Sequence, residues 1–171
     1  MLRRRTRPDA KPAEPITVHV TDEQDSFPIE PDQWRDLVGG VLSHEGVAGP
    51  GELNVLFVER DAIAQLNRLH LGASGATDVL SFPIDSDDDL DDAEIRMVGD
   101  VVICPSVAAE NAAGHAGSYP DELALLLVHG TLHLLGHDHA EDADRRRMWD
   151  RERELLGTLY GRLRLDPWAD R

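Results

Sequence analysis

Three histidines in one short run, His129, His133 and His139 of His129-Gly130-Thr131-Leu132-His133-Leu134-Leu135-Gly136-His137-Asp138-His139, are spaced to hold a metal ion. An α-helix turns about 100° per residue, so imidazoles at i and i+4 leave the same face one turn apart. Gly136 can adopt the left-handed conformation that ends a helix, which lets the chain fold back and bring His139 to the same point. Zinc, one ion per chain, is the expected occupant. It is borderline soft, accepts neutral imidazole, and in catalytic sites commonly keeps three protein ligands plus a position for water.

The spacing matches the metzincin pattern His-Glu-x-x-His-x-x-Gly-x-x-His except that Gly130 stands where the glutamate would be. That glutamate is the general base of the proteases, and glycine carries no group to replace it. A metallopeptidase or amidase is therefore one reading, with Gly130 against it. A non-catalytic module with a structural zinc is another, and it requires a fourth ligand such as His137 in place of water.

A chain of 171 residues suits one domain. No apolar run approaches the roughly 20 residues that span a bilayer, so the expectation is a soluble protein without a membrane partner. The basic start, Met1 to Arg7, lacks an apolar stretch and does not read as a secretory signal. The single cysteine, Cys104, follows Val101-Val102-Ile103; it fits a buried position and a reducing cytoplasm. The net charge of −16 argues against a nucleic-acid partner, because phosphate attraction normally calls for a basic surface. Part of that charge is local: residues 85–94 hold seven acids, the composition of a solvated loop. Positive charge is concentrated at Arg3, Arg4, Arg5 and Arg7 and at Arg145 to Arg147, where Asp142 and Asp144 are near enough to pair with it.

Positioning these residues requires an alternation of strands and helices, which predicts an α+β domain with a small mixed sheet of about four strands and the metal site on a central helix. Residues 1–15 read as a flexible arm, 16–160 as the domain and 161–171 as a tail. Strands are expected over 16–20, 53–58, 78–83 and 97–103, the last two paired across the acidic loop. Helices are expected over 31–45, 61–71, 105–115, 118–135 and 140–159. Ser118-Tyr119-Pro120-Asp121 resembles a capping box, and the run Leu123 to Val128 is apolar all round, which marks that helix as buried.

Together with the histidine run, Thr77-Asp78-Val79-Leu80-Ser81-Phe82-Pro83 and Gly99-Asp100-Val101-Val102-Ile103-Cys104 resemble the YbeY family of bacterial endoribonucleases and ribosomal RNA maturation factors, over roughly residues 16–160. The resemblance implies a zinc-dependent, single-strand endoribonuclease that matures the 3′ end of small-subunit ribosomal RNA and serves ribosome quality control. It implies His129, His133 and His139 as ligands. It also implies ribosomal RNA, small-subunit proteins and the GTPase Era as partners, and makes the non-catalytic alternative a zinc-containing ribosome-assembly factor. Two departures stand out. His137 occupies the place of a frequent tyrosine, and Leu71 occupies that of an arginine proposed to act in cleavage, with Arg68 and His70 as possible substitutes. His137, Asp138, Arg68 and His70 are thus the candidate catalytic residues. Asp138 has a second expected role, accepting an imidazole N–H to set a ligand's tautomer. The RNA-binding residues are not identified by the sequence.

Overall fold

Period-two burial marks the first strand of the computed structural model, which describes residues 14–84 and 95–169. The basic stretch up to residue 13 and the acidic run 85–94 lie outside the described residues. In β1 (Ile16–Glu23), Ile16 and Val18 are buried while Thr17 and His19 are exposed. It is followed by α1 (Pro31–His44), β2 (Gly51–Val58), α2 (Arg60–Leu71), β3 (Val79–Pro83) and β4 (Arg96–Ile103). Then come α3 (Pro105–Ala112), α4 (Tyr119–Leu134) and α5 (Asp142–Leu159).

The four strands form one mixed sheet in the order β1-β2-β4-β3. β1 with β2 and β2 with β4 are parallel, while β3 runs antiparallel to β4 along the edge, Leu80 opposite Val102. Alternation along β4 divides the core in two. Val101 and Ile103 join Leu53, Val55 and Phe57 under α1, α4 and α5. Val102 and Cys104 turn to the other face, where they pack with Leu80, Val58 and Ile63 of α2. Sheet and helices thus form a layered α+β domain, as the periodicity predicts.

Twelve of the sixteen residues of α4 are buried, so the helix is held on all sides rather than along one stripe. Its start is capped by Ser118, whose Oγ accepts from the Asp121 backbone N–H at 3.3 Å. The return half of a capping box is not made. Asp121 instead accepts from the Tyr160 hydroxyl at 2.8 Å and the Arg164 backbone N–H at 2.9 Å. Burial first, and then the bond to Asp121, raises the Tyr160 pKa above its ordinary value and keeps the donor protonated. The stretch after α5 accordingly lies against the domain: Leu163 and Pro167 are buried, and the Leu165 N–H donates to the Ala116 carbonyl at 3.0 Å.

Candidate metal centre

His129 and His133 project from the last turns of α4, and their Nε2 atoms face each other across 3.1 Å. The helix ends in a Schellman turn: the Gly136 N–H bonds the His133 carbonyl and the His137 N–H bonds the Leu132 carbonyl, both at 3.1 Å. Gly136 takes φ +92°, a conformation that disfavours a side chain. Asp138 tightens the next turn by accepting the backbone N–H groups of His139, at 2.6 Å, and Ala140, at 3.2 Å. That reversal sets the His139 ring centroid 4.9 Å from that of His133 and 5.6 Å from that of His129.

One nitrogen from each of the three rings lies within 4.8 Å of the others, and among the described residues these three side chains form a group able to hold a metal ion. The donor set fits the ion. The 3.1 Å between two Nε2 atoms is close to the roughly 3.3 Å edge of a tetrahedron whose metal–nitrogen bonds are about 2.0–2.1 Å. Burial, and then the neighbouring His129 and His139, lower the His133 pKa from 6.5 to about 4. The imidazole is therefore neutral at neutral pH, with its lone pair available. The stability it contributes is present above 6.5 and is lost as pH falls toward about 4.

The sequence reading missed Glu152. Its carboxylate is buried, 2% exposed, and Oε1 sits 2.6 Å from His129 Nδ1. That contact assigns the proton to Nδ1 and turns the Nε2 lone pair toward the other two imidazoles. The second oxygen, Oε2, accepts from the Trp168 indole N–H at 2.8 Å, so Glu152 is anchored at both ends. A signal was present in the sequence. Glu152 interrupts the buried stripe of α5 formed by Met148, Leu155 and Leu156, where a lone acid calls for a partner.

The other candidates stand elsewhere. Asp138 accepts the backbone N–H groups of His139 and Ala140, and among the described residues no imidazole donates to it. His137 Nε2 lies 3.2 Å from Glu45 Oε2, and Glu45 also pairs with Arg151, so this fourth imidazole is engaged outside the three-histidine group. Arg68 lines a separate depression with Asp61 and Gln65. The His70 ring packs on Phe82, with centroids 4.9 Å apart. Leu71 is exposed. Within the arginine cluster, Arg145 pairs with Asp142 at 2.6 Å and Arg147 with Asp144.

Gly130 has a packing reason. A Cβ there would lie 2.8 Å from Val101 Cγ1 and 3.1 Å from Ser81 Oγ, and the Ser81 hydroxyl already donates to the Gly130 carbonyl at 2.9 Å. The position that carries the base in metzincins is here the point where α4 touches the sheet. Gly130→Ala should destabilise the fold by about 1–3 kcal/mol through overpacking. Urea unfolding of the variant would measure this, and an unchanged midpoint would refute the contact.

Beside His129 a cleft of about 300 Å3 opens, walled in part by Asp78, Trp149, Glu152 and Trp168. A family model described as endoribonuclease YbeY matches residues 19–160. An endoribonuclease YbeY of Bifidobacterium longum is 39% identical over 147 residues, covering 85% of this chain and 80% of its own. Another from Salinispora tropica is 43% identical, covering 84% of this chain and 96% of its own. The solution structure of a Thermotoga maritima protein superposes with a TM-score of 0.58 at 25% identity, over 84% of this chain and 89% of that one.

Proposed function

From the premise that the chain belongs to the endoribonuclease YbeY family, we propose a zinc-dependent endoribonuclease that cuts single-stranded RNA, maturing the 3′ end of small-subunit ribosomal RNA and serving ribosome quality control. The observation that carries the metal part is the convergence of three ring nitrogens within 4.8 Å, one of them oriented by a buried carboxylate. His129, His133 and His139 would hold the ion. Zinc bound there supplies Lewis acidity toward a phosphoryl oxygen and lowers the pKa of water toward neutrality.

The chain's own residues set the conditions for that chemistry. Glu152 keeps the His129 proton on Nδ1, and the low pKa of His133 keeps its ring neutral, with one of its two nitrogens free of a proton. The Gly130 contact leaves no space for a peptidase glutamate, which counts against a protease. The engagement of His137 with Glu45 keeps that imidazole off the three-histidine group, so a bound ion would have no fourth imidazole from it, which counts against a purely structural zinc. Small-subunit proteins and the GTPase Era as partners, and a cytoplasmic location, belong to the same reading. The buried free thiol of Cys104 suits a reducing compartment, and among the described residues no helix is long and apolar enough to cross a membrane.

The test is cleavage of an end-labelled ribosomal RNA fragment with single-stranded flanks by protein stripped of metal and then reloaded separately with zinc, manganese or magnesium. Stripping should abolish cleavage and zinc should restore it within the single-stranded flanks. Undiminished cleavage by stripped protein, or failure of every ion to restore it, would refute the reading.

A further inference from the structure

The net charge of −16 leaves open how an acidic chain would hold RNA beside its histidines. The answer lies in the C-terminal stretch that folds back along α5. Trp168 is a wall shared by two clefts. On one side is the cleft of about 300 Å3 that contains His129 and Trp149. On the other is a cleft of about 380 Å3 lined by Arg153, Arg162 and Arg164, with Asp166 as its acid. Arg162 and Arg164 are exposed. Asp166 is partly occupied, since its Oδ1 accepts the Trp168 backbone N–H at 2.9 Å. Arg153 pairs with Asp150 at 3.2 Å, a weak contact at the surface.

Trp168 is held in place at its edge, and each tryptophan has an arginine beside its ring. The Trp168 indole N–H is tied to Glu152 at 2.8 Å, and the Arg153 guanidinium covers one ring face at 4.9 Å from the centroid. Arg145 stands 5.5 Å from the Trp149 ring centroid in the same way. An indole fixed at its edge and covered on one face offers the other as a stacking surface, and a guanidinium behind it adds positive charge.

We propose that these two clefts form a subsite for single-stranded RNA: an unpaired base seats against Trp149 and Trp168 beside His129, and the adjoining phosphates lie along Arg153, Arg162 and Arg164. The subsite rests on the endoribonuclease reading and gives it a substrate path. Stacking accepts any base and arginines accept any phosphate, so recognition is by single-strandedness rather than by sequence. The positive charge offered to phosphates is confined to the second cleft, where Arg153, Arg162 and Arg164 face one lining acid, Asp166, and it would act over a screening length of about 8–10 Å.

The test measures binding of a 2′-O-methyl oligouridine decamer to the full-length, zinc-loaded protein across a salt series. Trp149→Ala should weaken Kd by about 5- to 150-fold, the range of one lost base stack. The double variant Arg162→Ala/Arg164→Ala should lower the slope of log Kd against log salt by about 1.4, or about 0.7 for each lost phosphate contact. Both variants should keep their zinc and their melting temperature, which separates lost contacts from misfolding. Wild-type binding that neither variant weakens would overturn the subsite while leaving the endoribonuclease reading intact. A wild type with no affinity for the decamer at low salt would overturn both, and equal affinity for polyglutamate would overturn the role of base stacking.

Discussion

Replacing His133 by alanine should remove the metal and reduce RNA cleavage to background, the largest effect expected of any single substitution here. His133 is the middle ligand: its ring centroid lies 4.6 Å from that of His129 and 4.9 Å from that of His139, so its loss leaves two imidazoles and no closed set. Two nitrogen ligands hold zinc far more weakly than three, and the loss extends to all chemistry the ion supplies. His133 is only partly buried, so the fold should survive its truncation. Zinc content by elemental analysis, cleavage of a ribosomal RNA fragment and far-UV circular dichroism should be read on the same preparation. Full cleavage by a zinc-free, folded His133→Ala protein would refute the metal mechanism and point to a contaminating nuclease.

Glu152→Gln should be the next most damaging change, although Glu152 is a positioning residue that would act on an ion only through His129. The carboxylate accepts from both His129 Nδ1–H and the Trp168 indole N–H. An amide has only one oxygen, so glutamine must present its NH2 to one of these donors and leave a buried donor unpaired. Loss of an orienting partner of this kind costs about 10- to 100-fold in metal affinity. Zinc affinity should fall by that factor, and cleavage at saturating zinc should recover in part. Recovery separates a positioning role from a structural one, because a misfolded protein would gain nothing from excess ion. Zinc affinity equal to wild type would show that the His129 tautomer does not depend on Glu152.

Much of the fold was legible because each element carries its own period. The two-residue alternation of Ile16 to Val20, the helical spacing of Trp34, Leu37, Val38, Val41 and Leu42, and the unbroken apolar run of α4 each state a local geometry independent of the rest. The pairing of β3 with β4 was readable for the same reason, since the two strands flank one loop in sequence. Bounds shifted where tertiary contacts took over. β1 extends to Glu23 because β2 continues to pair with it through Val58. α3 ends at Ala112 rather than near His115, where the His115 Nδ1 meets the buried Glu122 carboxylate at 2.8 Å.

The sequence by itself determined the three-histidine group that could hold a metal ion. Helical spacing places His129 and His133 on one face, Gly136 permits the reversal to His139 and the Asp138 carboxylate tightens it, so the three rings are brought together within eleven residues of sequence. Only the tertiary structure decided what surrounds that group. Glu152 lies 23 residues beyond His129, Val101 approaches Gly130 from strand β4, and Glu45 engages His137 from 92 residues away. Trp168 reaches the cleft beside His129 on a stretch the sequence marks only as a tail. These partners are joined by packing across layers of the fold. Such contacts leave no period in the chain, because their spacing in sequence is set by the connections between elements and not by the turn of a helix or the pleat of a strand.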